Sequence, residues 1–278
     1  MAESNPTTRV EGPRVGQQRI HRVAATAGAL ALFAFLGAGC ATHGAKQRDL
    51  QRHRKALAHF NLGADHLENG RTAQGLRELL IAESHDPLDP YIQYGLSRAY
   101  LASERDALAE THLLRALEVF PGYHDARLTL SGLYLMLERW SDAAAQSQLL
   151  LDDPTFPYPW VALTNIGWAH FKAGQFSEAR EAFERALHFN PDYWQGQLNL
   201  GILEEEEGHR AAALKAYGEV LESGAAPSAV AEANYRSAEI LLSFGKRQRA
   251  MRHLMAAVAT SPDGEWGRKS EEYMQVIR

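Results

Sequence analysis

Residues 160–193 read WVALTNIGWAHFKAGQFSEAREAFERALHFNPDY, and this stretch decides the fold. Ile166-Gly167 follows Trp160 by six residues, and then come Gly174, Ala179, Phe183, Ala186 and Pro191. Glycine just past a helical run and proline beyond the next one are both helix stops. The unit therefore holds two helices. The same spacing restarts at Trp194 with Leu200-Gly201, Gly208, Ala213 and Tyr217. Going backward, Pro121 and Pro87 close two more units, and a further one ends on Pro262. Six units keep phase at 56–89, 90–123, 124–157, 160–193, 194–227 and 231–264, with extra residues only at 158–159 and 228–230.

A period of 34 residues with L-G, A-x3-F and a closing proline resembles the tetratricopeptide (TPR) repeat. The resemblance implies an all-α fold, a right-handed α-solenoid of about six helix pairs. One pair cannot bury its own apolar face, so neighbours stack and leave a concave groove. Small residues are expected where paired helices approach: Gly63, Gly167, Gly201, Ala109, Ala143, Ala179, Ala213 and Ala250. Residues 265–278 alternate charged and apolar positions and read as a helix capping the open end.

The 278 residues are 45% hydrophobic and 23% charged, with a net charge of −5. That balance is globular, and no basic surface advertises nucleic-acid binding. One cysteine, Cys40, excludes an intrachain disulfide framework. Arg9, Arg14, Arg19 and Arg22 precede an uncharged run from Val23 to Gly39. A basic flank, a short apolar run and small residues at its end make a secretory signal over 1–39. The text Leu36-Gly37-Ala38-Gly39-Cys40-Ala41 resembles the bacterial lipobox, with leucine four residues before the cysteine instead of three. The resemblance implies a lipidated Cys40, a tether over 40–55 and, from Ala41, a place at the periplasmic face of the outer membrane. An uncleaved signal anchor is the rival, since 17 residues reach the lower limit for a span.

No catalytic constellation is present. H-E-x-x-H, Walker, G-x-S-x-G and G-x-G-x-x-G patterns are all missing, so no enzyme activity, cofactor, metal or small-molecule substrate is expected. His66 and His170 fall between the paired helices and read as hydrogen-bonded core histidines. Glu204 to Glu207 read as a solvated helix end, because four adjacent helical residues point in different directions. The groove is the better candidate for a site. The first helix of each pair lines it, which selects Phe60, Asn61, Tyr91, Tyr94, Arg98 and Leu101 in the first two units. The later units add Leu135, Asn165, Trp168, Phe171, Asn199, Ile202 and Tyr235. Aromatic anchors carry binding energy, so Tyr91, Tyr94, Trp168 and Phe171 are favoured for partner contact, while Ile202 is divided evenly between contact and packing. With few groove cations beyond Arg98, a carboxylate clamp is rejected. A hydrophobic helix or strand of a protein partner is the expected ligand.

An export signal, a lipobox-like Cys40, a short tether and six such repeats resemble the type IV pilus pilotin lipoproteins. The stretch Asp153-Pro154-Thr155-Phe156-Pro157-Tyr158-Pro159, followed by Asn165-Ile166-Gly167-Trp168-Ala169, is similar to that family's third-to-fourth repeat junction. The resemblance implies a lipid-anchored scaffold that binds a secretin and promotes its outer-membrane localisation and multimerisation. The alternative is an adaptor that recruits a periplasmic protease or peptidoglycan hydrolase. At the junction, Pro157 and Pro159 either divide the array mechanically or sit in a rigid loop stapled by Phe156 and Tyr158. Continuous stacking favours the stapled loop.

Overall fold

Helix boundaries follow the glycine and proline punctuation. The computed structural model describes residues 36–277. The predicted signal segment, 1–39, lies outside the described residues over its first 35 positions, and Cys40 is described only as helical backbone. Thirteen helices are present among the described residues, packed pairwise as TPR repeats. The first four are α1 (Leu36–Glu68), α2 (Thr72–His85), α3 (Pro90–Leu101) and α4 (Asp106–Val119). Then follow α5 (His124–Met136), α6 (Trp140–Leu151), α7 (Pro159–Lys172) and α8 (Phe176–Phe189). The rest are α9 (Trp194–Glu206), α10 (Arg210–Glu222), α11 (Pro227–Ser243), α12 (Arg247–Thr260) and α13 (Glu265–Val276). No helix among the described residues is long and apolar enough to cross a membrane.

The chain forms two compact units that divide between Tyr123 and His124. In the first, α1 pairs with α2 and α3 with α4, while α3 also packs on α1 and α2. In the second, α5–α6, α7–α8, α9–α10 and α11–α12 pair, and α13 covers α11 and α12. The backbone of the 40–55 stretch is helical and runs on into the first repeat within α1.

Four of the pairs, the first, fourth, fifth and sixth, close on a small-to-large contact at one register. A β-carbon added to Gly167 would lie 2.5 Å from Phe183 Cε1, and one on Gly201 would lie 2.5 Å from Tyr217 Cε1. Gly63 meets Leu79 in the same way at 2.8 Å. In the third pair both partners are serines, and Ser131 Oγ and Ser147 Oγ share a hydrogen bond of 2.7 Å. In the sixth, Ala238 packs in one buried cluster with Leu254. The large partner fills the space its small partner leaves, so packing density is kept while the residues change.

A second register carries polar ties that the sequence reading did not identify. His59 bonds Glu78 at 2.7 Å, His112 bonds Gln93 at 2.6 Å, Arg127 donates to Gln146 at 2.9 Å and His253 bonds Asn234 at 2.8 Å. Each joins residues 19 apart, across one helix pair. A buried polar group costs stability unless it is paired, so both members must be present together.

The turn inside every pair uses a left-handed residue. Gly70, Gly174, Gly208 and Gly245 occupy it, but in the second and third pairs the residues are Glu104 (φ 56°) and Glu138 (φ 58°). At the start of α3, Asp89 accepts from the Tyr91 and Ile92 backbone N–H groups at 2.8 and 3.1 Å, and Pro90 takes the first helical position.

The proline-rich junction is a stapled loop. Phe156 is buried with Leu150 and Ala162, and Leu128, Leu151 and Tyr158 pack against them. His124 donates from Nε2 to Asp153 at 2.8 Å, and Thr155 donates from both N and Oγ1 to the same carboxylate. These bonds, that to His124 foremost, pull the Asp153 carboxyl down to about 2. The array therefore does not divide at Pro157–Pro159.

Candidate partner-binding surface

In the first unit, α3 and the turn before His124 build an aromatic cluster. Tyr123 sits 5.2 Å from Tyr91 and 5.1 Å from Tyr94, ring centre to ring centre, and Phe120 lies 5.7 Å from Tyr123 on its other side. Tyr91 is 51% exposed and Phe120 41%. Sequence reasoning selected Tyr91 and Tyr94 but missed Tyr123 and Phe120, because only first-helix positions were examined. Asn61 and Arg98 are exposed, and Leu101 is half-buried. Phe60 is half-buried for a structural reason: its ring fills the space over Gly95, where an added β-carbon would meet Phe60 Cε2 at 3.3 Å.

The second unit corrects the prediction at two positions. Leu135 and Trp168 are buried, 5% and 8% exposed, so neither is a displayed anchor. Trp168 stacks at 5.3 Å on Phe171, which meets Phe176 at 5.8 Å, and the Lys172 ammonium lies 5.0 Å from the Trp168 ring. This cluster is internal packing with a cationic lid, and half-buried Phe171 and Phe176 retain its outer edge. Asn165 donates to Ser131 Oγ at 3.2 Å, tying α7 to α5 instead of waiting for a ligand. Ile202 packs on the cluster around Leu198 and Tyr217, and Asn199 beside it is half-buried.

The last two repeats are polar. Tyr217 Oη donates to Glu205 at 2.6 Å, Arg236 donates to Glu232 at 2.9 Å and to Glu205 at 3.4 Å, and Tyr235 Oη donates to Glu239 at 3.2 Å. From α13, Trp266 meets the Tyr235 ring at 5.3 Å and takes the Arg236 guanidinium over its face at 5.3 Å. Burial, and after it the Glu239 charge, pushes the Tyr235 hydroxyl up to about 12; burial also raises the Glu239 carboxyl. Tyr235 is thus covered by the capping helix and held in a closed network.

Glu204 to Glu207 are a solvated helix end only in part: Glu206 and Glu207 are exposed, whereas Glu205 is half-buried and Glu204 is drawn in. Arg180 bonds both Glu204 and Glu207, His209 bonds Glu204 at 2.9 Å, and Glu204 is buried. Burial pushes the Glu204 carboxyl up, yet Arg180 and His209 together hold it below its ordinary value. Ligand atoms of Glu204, Glu207 and His209 come within 4.8 Å of one another, but Arg180 already pairs with both carboxylates. Neither histidine between the helices has two partners. His170 bonds Gln175 at 2.6 Å, while His66 Nδ1 is buried with no hydrogen-bond partner among the described residues, against expectation.

An array of helix pairs that leaves a cluster of aromatic side chains partly exposed is a protein-binding scaffold. The chain is a TPR protein: tetratricopeptide-repeat family models match residues 60–124, 160–193 and 198–265. TPR domains bind protein partners and are typically non-enzymatic. Among solved structures, the chain is similar to PilW, described as a widely conserved type IV pilus biogenesis factor. The TM-score is 0.67 at 20% identity, over 77% of this chain and 97% of that one. It is also similar to PilF of Pseudomonas aeruginosa, with TM-score 0.66 at 18% identity over 82% and 100% of the two chains. A chain of the APC/C hetero-tetramer Cut9–Hcn1 gives TM-score 0.63 at 19% identity, over 78% of this chain and 42% of its own. At such identities the likeness concerns the fold. A search of curated protein sequences found no match.

Proposed function

We propose that the protein is a lipid-anchored periplasmic scaffold that binds a secretin and promotes its outer-membrane localisation and multimerisation in type IV pilus biogenesis. Cys40 carries the lipid, and binding alone is the mechanism, with no bond made or broken. The observation that carries the reading is the aromatic cluster of Tyr91, Tyr94, Tyr123 and Phe120. It leaves large apolar rings half in water where a hydrophobic segment of another chain would cover them. The lipobox-like leader supports the anchor. The near-complete coverage of PilW and PilF supports the pilus assignment. The test is an immunoblot for heat-resistant secretin multimers in envelopes of wild-type and deletion cells. Loss of multimers with monomer still present supports the reading. Unchanged multimers overturn it and direct a pull-down toward a protease or peptidoglycan hydrolase.

A further inference from the structure

The helix α3, PYIQYGLSRAYL, carries one ionised side chain, Arg98. Past Pro90, the residues of this helix that reach water are Tyr91, Tyr94, Arg98 and Leu101, and every other is buried. Their spacing of three, four and three sets them in one stripe, the spacing at which one helix seats another. Tyr123 and Phe120 flank the start of the stripe, where Tyr123 lies 5.2 Å from the Tyr91 ring and 5.1 Å from the Tyr94 ring. Arg98 stands one turn beyond Tyr94, about 6 Å along the axis. It is exposed, and its guanidinium makes no hydrogen bond or ion pair among the described residues. The last turn of α3 favours a cation, but that leaves the fork of N–H donors open. Arg236, on an inner helix of the last repeats, differs: it is bonded to Glu232 and Glu205.

We infer that this stripe seats an amphipathic helix of the partner that carries an aspartate or glutamate one to two turns from its apolar anchor, and that Arg98 receives that carboxylate. The inference deepens the proposed function and rests on its reading of the aromatic cluster as the binding surface. Charge decides the occupant. A wholly apolar segment laid over the rings would strip water from Arg98 and return nothing, a cost that falls on affinity. A carboxylate at that point makes a charge-assisted pair instead, bidentate because the guanidinium presents parallel N–H donors. A basic segment is repelled. The rings thus supply binding energy, and Arg98 chooses among apolar segments. Distance sets the motif. Arg98 follows Tyr94 by four residues and Tyr91 by seven, about 6 and 10 Å along the helix. On a partner helix the acid therefore lies about four to seven residues from the side chain that covers the rings.

The probe is a phage-displayed library of random peptides about four helical turns long, selected on the full chain carrying Cys40→Ser. Selection should yield apolar residues three or four apart with an acid at the stated spacing. Selection on Arg98→Glu should replace that acid by lysine or arginine and keep the apolar residues. The leading peptide, synthesised, should bind Arg98→Gln and Tyr91→Ala about tenfold or more weakly than the parent. Arg98→Lys, which keeps the charge without the fork, should recover part of the loss. Exchanging the peptide's acid for its amide should cost about as much against the parent and nothing further against Arg98→Gln. Both protein side chains are exposed, so circular dichroism should show unchanged helicity. A consensus without the acid overturns the inference, and so does the absence of a consensus or a strictly additive double exchange. A peptide that binds both variants as tightly as the parent places binding elsewhere and overturns the aromatic cluster as well. No secretin enters this experiment. Unchanged secretin multimers in deletion cells would therefore reject the identity of the partner and leave an acid-dependent peptide site standing.

Discussion

His112 donates from Nδ1 to Gln93 Oε1 at 2.6 Å, buried between α3 and α4 and stacked at 5.2 Å on the Tyr100 ring. Burial pulls this imidazole below its ordinary value of 6.5, with Glu83 opposing and Arg115 adding to the drop. The unfolded chain then binds a proton that the folded chain refuses. Stability is lost as pH falls below 6.5, and the loss continues until the lowered folded value is passed. Urea midpoints should show this. From pH 7 to pH 5 the parent should lose more than His112→Gln, which cannot titrate. Parallel curves would contradict the assignment.

Gly167 and Phe183 make a volume pair. A methyl on Gly167 would meet the Phe183 ring at 2.5 Å, and that ring is fully buried. Gly167→Ala should therefore cost about 1–3 kcal/mol by overpacking. Phe183→Leu in the same chain should recover part of it, because the sixth repeat already pairs Ala238 with Leu254. A double-mutant cycle on urea midpoints measures the coupling, and strictly additive costs would show that the two sites are independent.

Glu138 and Gly208 occupy the same turn position with different strain. Gly208→Ala adds a methyl with nothing within 4 Å, so its cost is backbone alone, about 1 kcal/mol. Glu138→Gly releases a left-handed glutamate and should raise stability by up to about 1 kcal/mol after the entropy glycine adds to the unfolded chain. Thermal melts of the two variants should move in opposite directions.

Tyr91 and Trp168 separate binding from folding. Tyr91 is half in water, so Tyr91→Ala should leave helicity intact while weakening the partner at least tenfold, the scale of an aromatic hot spot near 1.4 kcal/mol or more. Trp168→Ala empties a buried site and should cost about 3–5 kcal/mol of stability. Circular dichroism with a titration of the proposed partner, a hydrophobic secretin segment, distinguishes them. Undiminished binding by Tyr91→Ala would remove the aromatic cluster from the interface.

Phase along one dimension determines repeats, so the 34-residue spacing of Gly167, Ala179, Phe183 and Pro191 determined by itself that helices pair and stack. Helix stops are local chemistry: Gly174 and Gly208 are legible as turn residues without any neighbour. Glu104 and Glu138 in the same turns were not, because strain accepted by one backbone position leaves no compositional mark. Exposure was the least legible property. A groove position assigned by register says which helix carries a side chain, but burial depends on what packs over it. Trp168 disappeared beneath Phe171 and Lys172, Tyr235 beneath Trp266, and Asn165 was consumed by Ser131. Tyr123 entered the aromatic cluster from a turn that the register never examined. Pairing of Arg180 with Glu204, or of His112 with Gln93, joins residues on different helices. Such contacts are set by the close approach of packed helices, and so only the tertiary structure decided them.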